Sequence, residues 1–234
     1  DWGDEESGVV WSGFIVGAFG TRFDADPLID NRNTLEDLRW RIETDWQFDD
    51  LTLGLKADAG YDGIEDSWIA DIRDLTMAFP IGESIDIKIG RQVQTWGTGD
   101  LVFLNDLFPK DYVSFFAGRD DEYLKAPGNA VRITSYSDAI NVDFVWTPVF
   151  EPDVYLTGER FSFYSPIDGG NVAPRPPFSA PEPDKKFSNG EFALRLFRTI
   201  ESSEYALYAY RGFFKQPSAL TPSLQPTVAP MSAI

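Results

Sequence analysis

The sequence predicts an all-β fold, an antiparallel transmembrane β-barrel, and three observations carry that expectation. Apolar and polar residues alternate strictly in several segments, and short turns alternate with long connections along the chain. The 234 residues are 43% hydrophobic and 15% aromatic, yet no run approaches the roughly 18 apolar residues of a membrane-spanning helix. With a mean hydropathy of −0.25, a membrane is met through strands or not at all.

An opening strand is expected over 9–23, where Gly13, Gly17 and Gly20 blur the two faces and mark bends or close backbone approach. The clearest alternation spans 38–47. Leu38, Trp40, Ile42, Thr44 and Trp46 take one face, and Arg39, Arg41, Glu43, Asp45 and Gln47 the other. After Phe48-Asp49-Asp50 the pattern restarts over 51–61, which reads as a tight hairpin. The unit recurs as 71–79 with 84–94, 129–136 with 140–147, and 191–199 with 204–213, each pair around a short turn. Between the pairs lie long connections, at 24–37, 62–70, 95–128 and 148–190.

Short turns at one end and long polar loops at the other are the layout of an outer-membrane barrel, with periplasmic turns and extracellular loops. Nine strands are an odd number, whereas bacterial single-chain barrels have an even one. Residues 1–213 are therefore expected to be the N-terminal part of a larger barrel, and 214–234, rich in Pro and Ser, an extracellular loop or a truncated continuation.

In that arrangement the charged strand face lines the lumen: Arg39, Arg41, Glu43, Asp45, Lys56, Asp58, Asp86, Lys88, Arg132 and Asp143 are the expected pore-lining residues. The opposite face, with Trp40, Trp46, Leu53, Ile85, Ile87, Ile89, Val142, Phe144 and Trp146, meets lipid. Trp11, Trp46, Tyr61, Trp96 and Trp146 stand near strand ends, where interfacial girdles form. A soluble sandwich also alternates, with the apolar face as its core, but seldom carries several long loops at one end.

Composition excludes other classes. A net charge of −18 repels nucleic acid. Without His or Cys there is no imidazole base, no thiolate nucleophile and no ordinary zinc site, so no catalytic residue, metal or cofactor is expected. The acids Asp24, Asp26, Asp30, Glu36 and Asp37 do not fit a calcium loop, because Leu28 stands at a ligand position and the turn glycine is missing. Pro174, Pro176, Pro177, Pro181 and Pro183 describe a stiff extended loop.

One segment is distinctive: Ile89-Gly90-Arg91-Gln92-Val93-Gln94-Thr95-Trp96-Gly97-Thr98-Gly99-Asp100, followed by Asp106-Leu107-Phe108-Pro109-Lys110-Asp111-Tyr112. It resembles a family of porin-like outer-membrane proteins, in which a Gly-Arg-Gln strand runs into Trp-Gly and then a Pro-Xaa-Asp loop. The resemblance covers about twenty-five residues, and it implies a channel for small or moderately hydrophobic solutes in the bacterial outer membrane. General porins narrow their pore with the third external loop. By that likeness Asp100, Asp106, Lys110, Asp111, Arg119 and Asp120 belong to a constriction, with Asp121, Glu122 and Lys125 beside them. Arg91 falls on the same face as Ile87 and Ile89, a conflict that a bulge, an interfacial position, or pairing with Asp74 or Asp86 would resolve.

The expected function is passive passage of small solutes, with outer-membrane lipid as the surroundings and a homo-oligomer as the analogy with porins. Two alternatives stand beside it. One is a structural barrel anchoring a surface layer or partner complex; the other is a soluble, secreted, acidic β-sandwich that binds glycans.

Overall fold

The computed structural model describes residues 9–96, 107–220 and 225–233. Asp100 and Asp106, expected at the constriction, lie outside them. The fold is all-β. One antiparallel sheet is built from β1 (Val10–Thr21), β2 (Asn33–Phe48), β3 (Leu51–Asp62), β4 (Ser67–Ile81), β5 (Ile85–Val93), β6 (Pro127–Ser135) and β7 (Asn141–Thr147). A two-stranded ribbon, β8 (Phe163–Ser165) with β9 (Gly170–Val172), interrupts the order before β10 (Glu191–Ile200) and β11 (Ser203–Phe213) rejoin the sheet. A second ribbon, β12 (Ala219–Leu220) with β13 (Pro226–Thr227), precedes β14 (Pro230–Ala233). The order β1-β2-β3-β4-β5-β6-β7-β10-β11-β14 is a ten-stranded meander, with β1 and β14 at its edges among the described residues.

All nine expected strands are present. The tenth, β14, pairs with β11 from Tyr210–Ala233 to Phe213–Pro230, in the tail read from sequence as a loop or a continuation. Its proline-rich approach hid it, since Pro cannot donate to a ladder and survives only at strand ends or edges. The connection expected over 62–70 is also shorter, because β3 and β4 run on to Asp62 and Ser67 and leave a four-residue turn. The two ends of the sheet still differ. One has the tight turns 49–50, 82–84, 136–140 and 201–202; the other has 22–32, 94–126, 148–190 and 214–229 as well as that turn.

Gly13 packs where any Cβ would lie 2.1 Å from the Arg41 carbonyl oxygen, so the blurred face of β1 is a close backbone approach. Gly17 has nothing within 4 Å and needs no such reason. Gly90 combines φ 130° with a Cβ position 2.1 Å from the Leu75 carbonyl oxygen, so no other residue fits there. In β4 the register shifts opposite Lys56 and Ala57, which pair with Asp74 and Ile72. Arg73 is the extra residue, and this bulge turns both Arg73 and Asp74 toward the charged face.

The two faces of the sheet are buried to different extents. On the apolar face Leu38 is 57% exposed, Trp40 55% and Trp68 85%, while on the charged face Arg41 is 1% exposed and Asp58 3%. The segment 107–126 lies on the charged face and covers it. It contains a short helix, α1 (Tyr112–Ala117), capped by the Asp111 carboxylate on the Ser114 amide and ended by Gly118 in the left-handed region. A 3₁₀ turn over 121–124 follows.

Candidate functional site

The charged face of β2–β4 is where the largest group of predicted residues comes together. Strand alternation puts Asp37, Arg39 and Arg41 on one side of β2, and register sets Asp58 opposite Arg41 and Asp62 opposite Asp37. The Arg41 guanidinium donates through Nε and Nη2 to the two Asp58 oxygens, both at 2.6 Å, and pairs with Glu122. Its Nη2 also donates to the Tyr123 hydroxyl at 3.0 Å. Both partners, Glu122 and Tyr123, belong to the overlying segment.

Tyr123 is the hub. The guanidinium carbons of Arg39, Arg41 and Arg73 stand 5.0, 5.1 and 4.9 Å from its ring centroid, within cation–π range. Arg73 donates to the carbonyls of Glu122 at 2.7 Å and Lys125 at 2.9 Å, so the bulge in β4 delivers a cation to the segment's backbone. Arg119 reaches down to Asp37 at 2.8 Å and Asp62 at 3.0 Å. Burial opposes the Arg119 charge, but the Asp37 carboxylate, with Asp111 and Asp62, outweighs it and holds the pKa above its ordinary value. Burial and the nearby Asp58 carboxylate push the Tyr123 phenol up, which keeps it a neutral partner for Arg41. Arg160, from the 148–190 connection, closes the group on Asp62, Glu65 and the Thr34 carbonyl.

The other half of this face is aromatic. Trp96, Phe108, Ala130, Val145, Ala193 and Tyr210 form a buried cluster, with Trp96 edge-on to Phe108 at 5.0 Å. Trp96 Nε1 donates to Asp143 at 2.8 Å, and Arg132 grips the same carboxylate at 2.9 and 2.5 Å. Trp96 is thus no interfacial residue: the chain leaves the ladder after Val93 and turns its ring onto the charged face. Glu191 accepts from the Tyr210 hydroxyl at 2.7 Å and the Phe213 amide at 3.1 Å, and it pairs with Lys215.

Of the ten residues expected to line a lumen, Arg41 and Asp58 are almost fully buried beneath the segment and Asp143 is almost fully buried against Trp96. Arg39 is held by Asp37 at 2.9 Å. Glu43 and Lys56 pair at 3.1 Å, Lys88 pairs with Asp74 at 2.9 Å, and these three with Arg132 remain half-buried. Asp45 and Asp86 are exposed. Among the loop residues, Arg119 reaches the strand carboxylates Asp37 and Asp62. Lys110 is buried with its amide on Asp153 at 2.7 Å, and Asp111 and Asp120 cap turns. Arg91 pairs neither with Asp74, which Lys88 holds, nor with Asp86; it donates to the Ile72 carbonyl at 2.6 Å and lies 3.8 Å from Asp71 and 3.9 Å from Glu151.

Sequence reasoning did not single out Asp37, Asp62, Arg73, Tyr123 or Arg160 as site residues. Asp37 and Asp62 were legible by extending the strand alternation one step at each end. Tyr123, Arg73 and Arg160 act across 49 to 126 positions of chain, and no local pattern announces them. Among the described residues no group of acidic side chains is arranged to hold a metal ion. In comparison with known proteins, the chain matches no family model, and no curated protein matches it significantly in sequence.

Proposed function

We propose that the chain is part of a bacterial outer-membrane barrel of the porin-like kind, passing small solutes without catalysis. One observation carries the reading: the sheet buries Arg41, Asp58 and Asp143 on its charged face and exposes Leu38, Trp40 and Trp68 on the other, the arrangement a strand protein adopts when lipid lies outside and polar groups inside. A soluble glycan-binding sandwich would bury Leu38, Trp40 and Trp68 instead. Two aromatic levels support the reading. Trp11 meets Trp46 at 5.9 Å near the tight-turn end, and Tyr61 meets Trp68 at 5.4 Å near the other. In β3 they lie opposite Leu53 and at Tyr61, a span close to the roughly 9–11 residues of a tilted membrane strand.

In this reading the segment 107–126 narrows the lumen, and solutes pass the half-buried charges Glu43, Lys56, Lys88 and Arg132. The test is extraction of the full chain from membranes, a gel of unheated and boiled samples, and conductance in planar bilayers. A heat-shifted band with ion conductance supports the reading; release into buffer without a heat shift overturns it. The burial of Arg41, Asp58 and Asp143 also favours a second reading, a sealed barrel that anchors a partner. That reading requires no conductance from the wild-type chain or from Tyr123→Ala, together with a co-purifying partner.

A further inference from the structure

The long connections at the loop-rich end line a half-open cavity of about 1210 Å³. Its wall is aromatic. Phe178 lies between Tyr155 at 5.8 Å and Phe163 at 5.6 Å, and Tyr112 and Phe116, one turn apart on α1, face them across the space. The wall is rigidly held: the Tyr112 amide donates to the Val154 carbonyl at 2.9 Å, the Phe178 amide to the Thr157 carbonyl at 2.7 Å, and the Tyr155 hydroxyl accepts from the Ala180 amide at 3.2 Å. Preformed apolar concavity of this kind is the usual form of a small-molecule site.

The chemistry of the lining selects the ligand. Among the described residues no Lys or Arg lines the cavity, so an anion finds no counter-charge in that lining. Its one carboxylate among the described residues, Asp168, accepts from Ser165 Oγ at 2.5 Å, and the Tyr155 hydroxyl accepts from the Ala180 amide, so both groups are oriented by the wall itself. The five wall rings and that of Tyr164 line the cavity beside the polar Asn171, Gln216, Ser218 and Gln225, so ring contact and burial contribute more to a ligand than hydrogen bonding does. The geometry points to a binding site for a neutral apolar molecule, aromatic or aliphatic, held by burial and ring contact. α1 forms part of the wall and leads directly into Arg119 and Tyr123, which places the cavity at the approach to the charged face. Its role as a capture site rests on the porin-like reading; its occupancy does not.

The experiment is calorimetric titration of the full chain with naphthalene, in lipid nanodiscs against empty nanodiscs, or in buffer if the chain extracts without detergent. Saturable binding beyond the empty-disc signal is expected, with sodium 2-naphthoate and glucose each at least tenfold weaker. Tyr164 and Ile167, 63% and 51% exposed, lie on the cavity rim in and beside the β8–β9 ribbon, and Leu28 approaches from the 22–32 connection. The double variant Tyr164→Asp with Ile167→Asp, and separately Leu28→Asp, should each weaken naphthalene at least tenfold while keeping the wild-type gel mobility. Binding equal to empty nanodiscs, binding unchanged in both rim variants, or equal binding of 2-naphthoate or glucose overturns the inference. Conductance, measured on the same preparation, reports on the porin-like reading separately.

Discussion

The two halves of the charged face hold the same segment by different means. Across β2–β4 it is held by guanidinium groups: Arg41 and Arg73 reach up to Glu122, Tyr123 and the backbone, with Asp58 balancing Arg41, and the segment's own Arg119 reaches down to Asp37 and Asp62. Across β6–β11 the contact is made by rings: Phe108 of the segment packs edge-on to Trp96 over Ala130, Val145 and Ala193, and Trp96 is in turn anchored on Asp143. The first half depends on every charge having its partner, because an unpartnered buried charge costs several kcal/mol. The second depends on shape, and tolerates loss of a polar contact better than loss of volume.

The comparison is tested most severely at Arg41. Arg41→Ala leaves Asp58 buried without its partner, and a loss of about 3–5 kcal/mol is expected in urea unfolding. The double variant Arg41→Met with Asp58→Leu should recover most of it, since neither charge then remains; equal loss in both would show that packing, not pairing, holds this half. Trp96→Phe tests the aromatic half. It keeps much of the ring but removes the donor to Asp143, which Arg132 still holds, so a loss of about 1–3 kcal/mol is expected in the same assay. A cost matching Arg41→Ala would erase the distinction between the halves.

Tyr123→Phe separates ring from hydroxyl. It retains the surface on which three guanidinium groups rest and loses only the acceptor for Arg41, so about 0.5–1.5 kcal/mol is expected. If the loss is larger, the hydroxyl and not the ring is the hub. The smallest effect lies outside both halves. Asp26 accepts from Ser162 Oγ at 2.7 Å and from the Leu28 amide at 2.9 Å, tying the first long connection to the 148–190 connection. Burial raises its pKa, but the Ser162 hydroxyl, the Leu28 amide and Arg22 together hold it below its ordinary value. This stabilisation is present above the ordinary carboxylate pKa and is lost as pH falls through the lowered one. Proteolysis of the 148–190 connection should quicken as the pH is lowered through that window in the wild type, and not in Asp26→Asn.

Much of the fold was legible because strand period is local. Leu38, Trp40 and Trp46 against Arg39, Arg41 and Glu43 declare a two-faced strand without any knowledge of neighbours. The misplaced features are those where a local rule is broken by something distant. The bulge at Arg73 looks like a lapse in alternation until Glu122 and Lys125 are placed beneath it. Trp96 reads as an interfacial residue until Asp143 and Phe108 are seen against it. β14 hides in a proline-rich tail because its pairing is supplied by β11.

The sequence by itself determined the all-β class, the nine strands, the two opposed faces and the inequality of the two ends, since each follows from residue period and turn chemistry within about ten positions. Only the tertiary structure decided which charged residues are sealed and which stay half-open, and where the segment 107–126 lies. Those outcomes depend on register between strands and on contacts such as Arg41 to Tyr123, 82 positions apart. Whether a charge is sealed or open depends on what covers it, and that cover comes from parts of the chain that no local pattern connects.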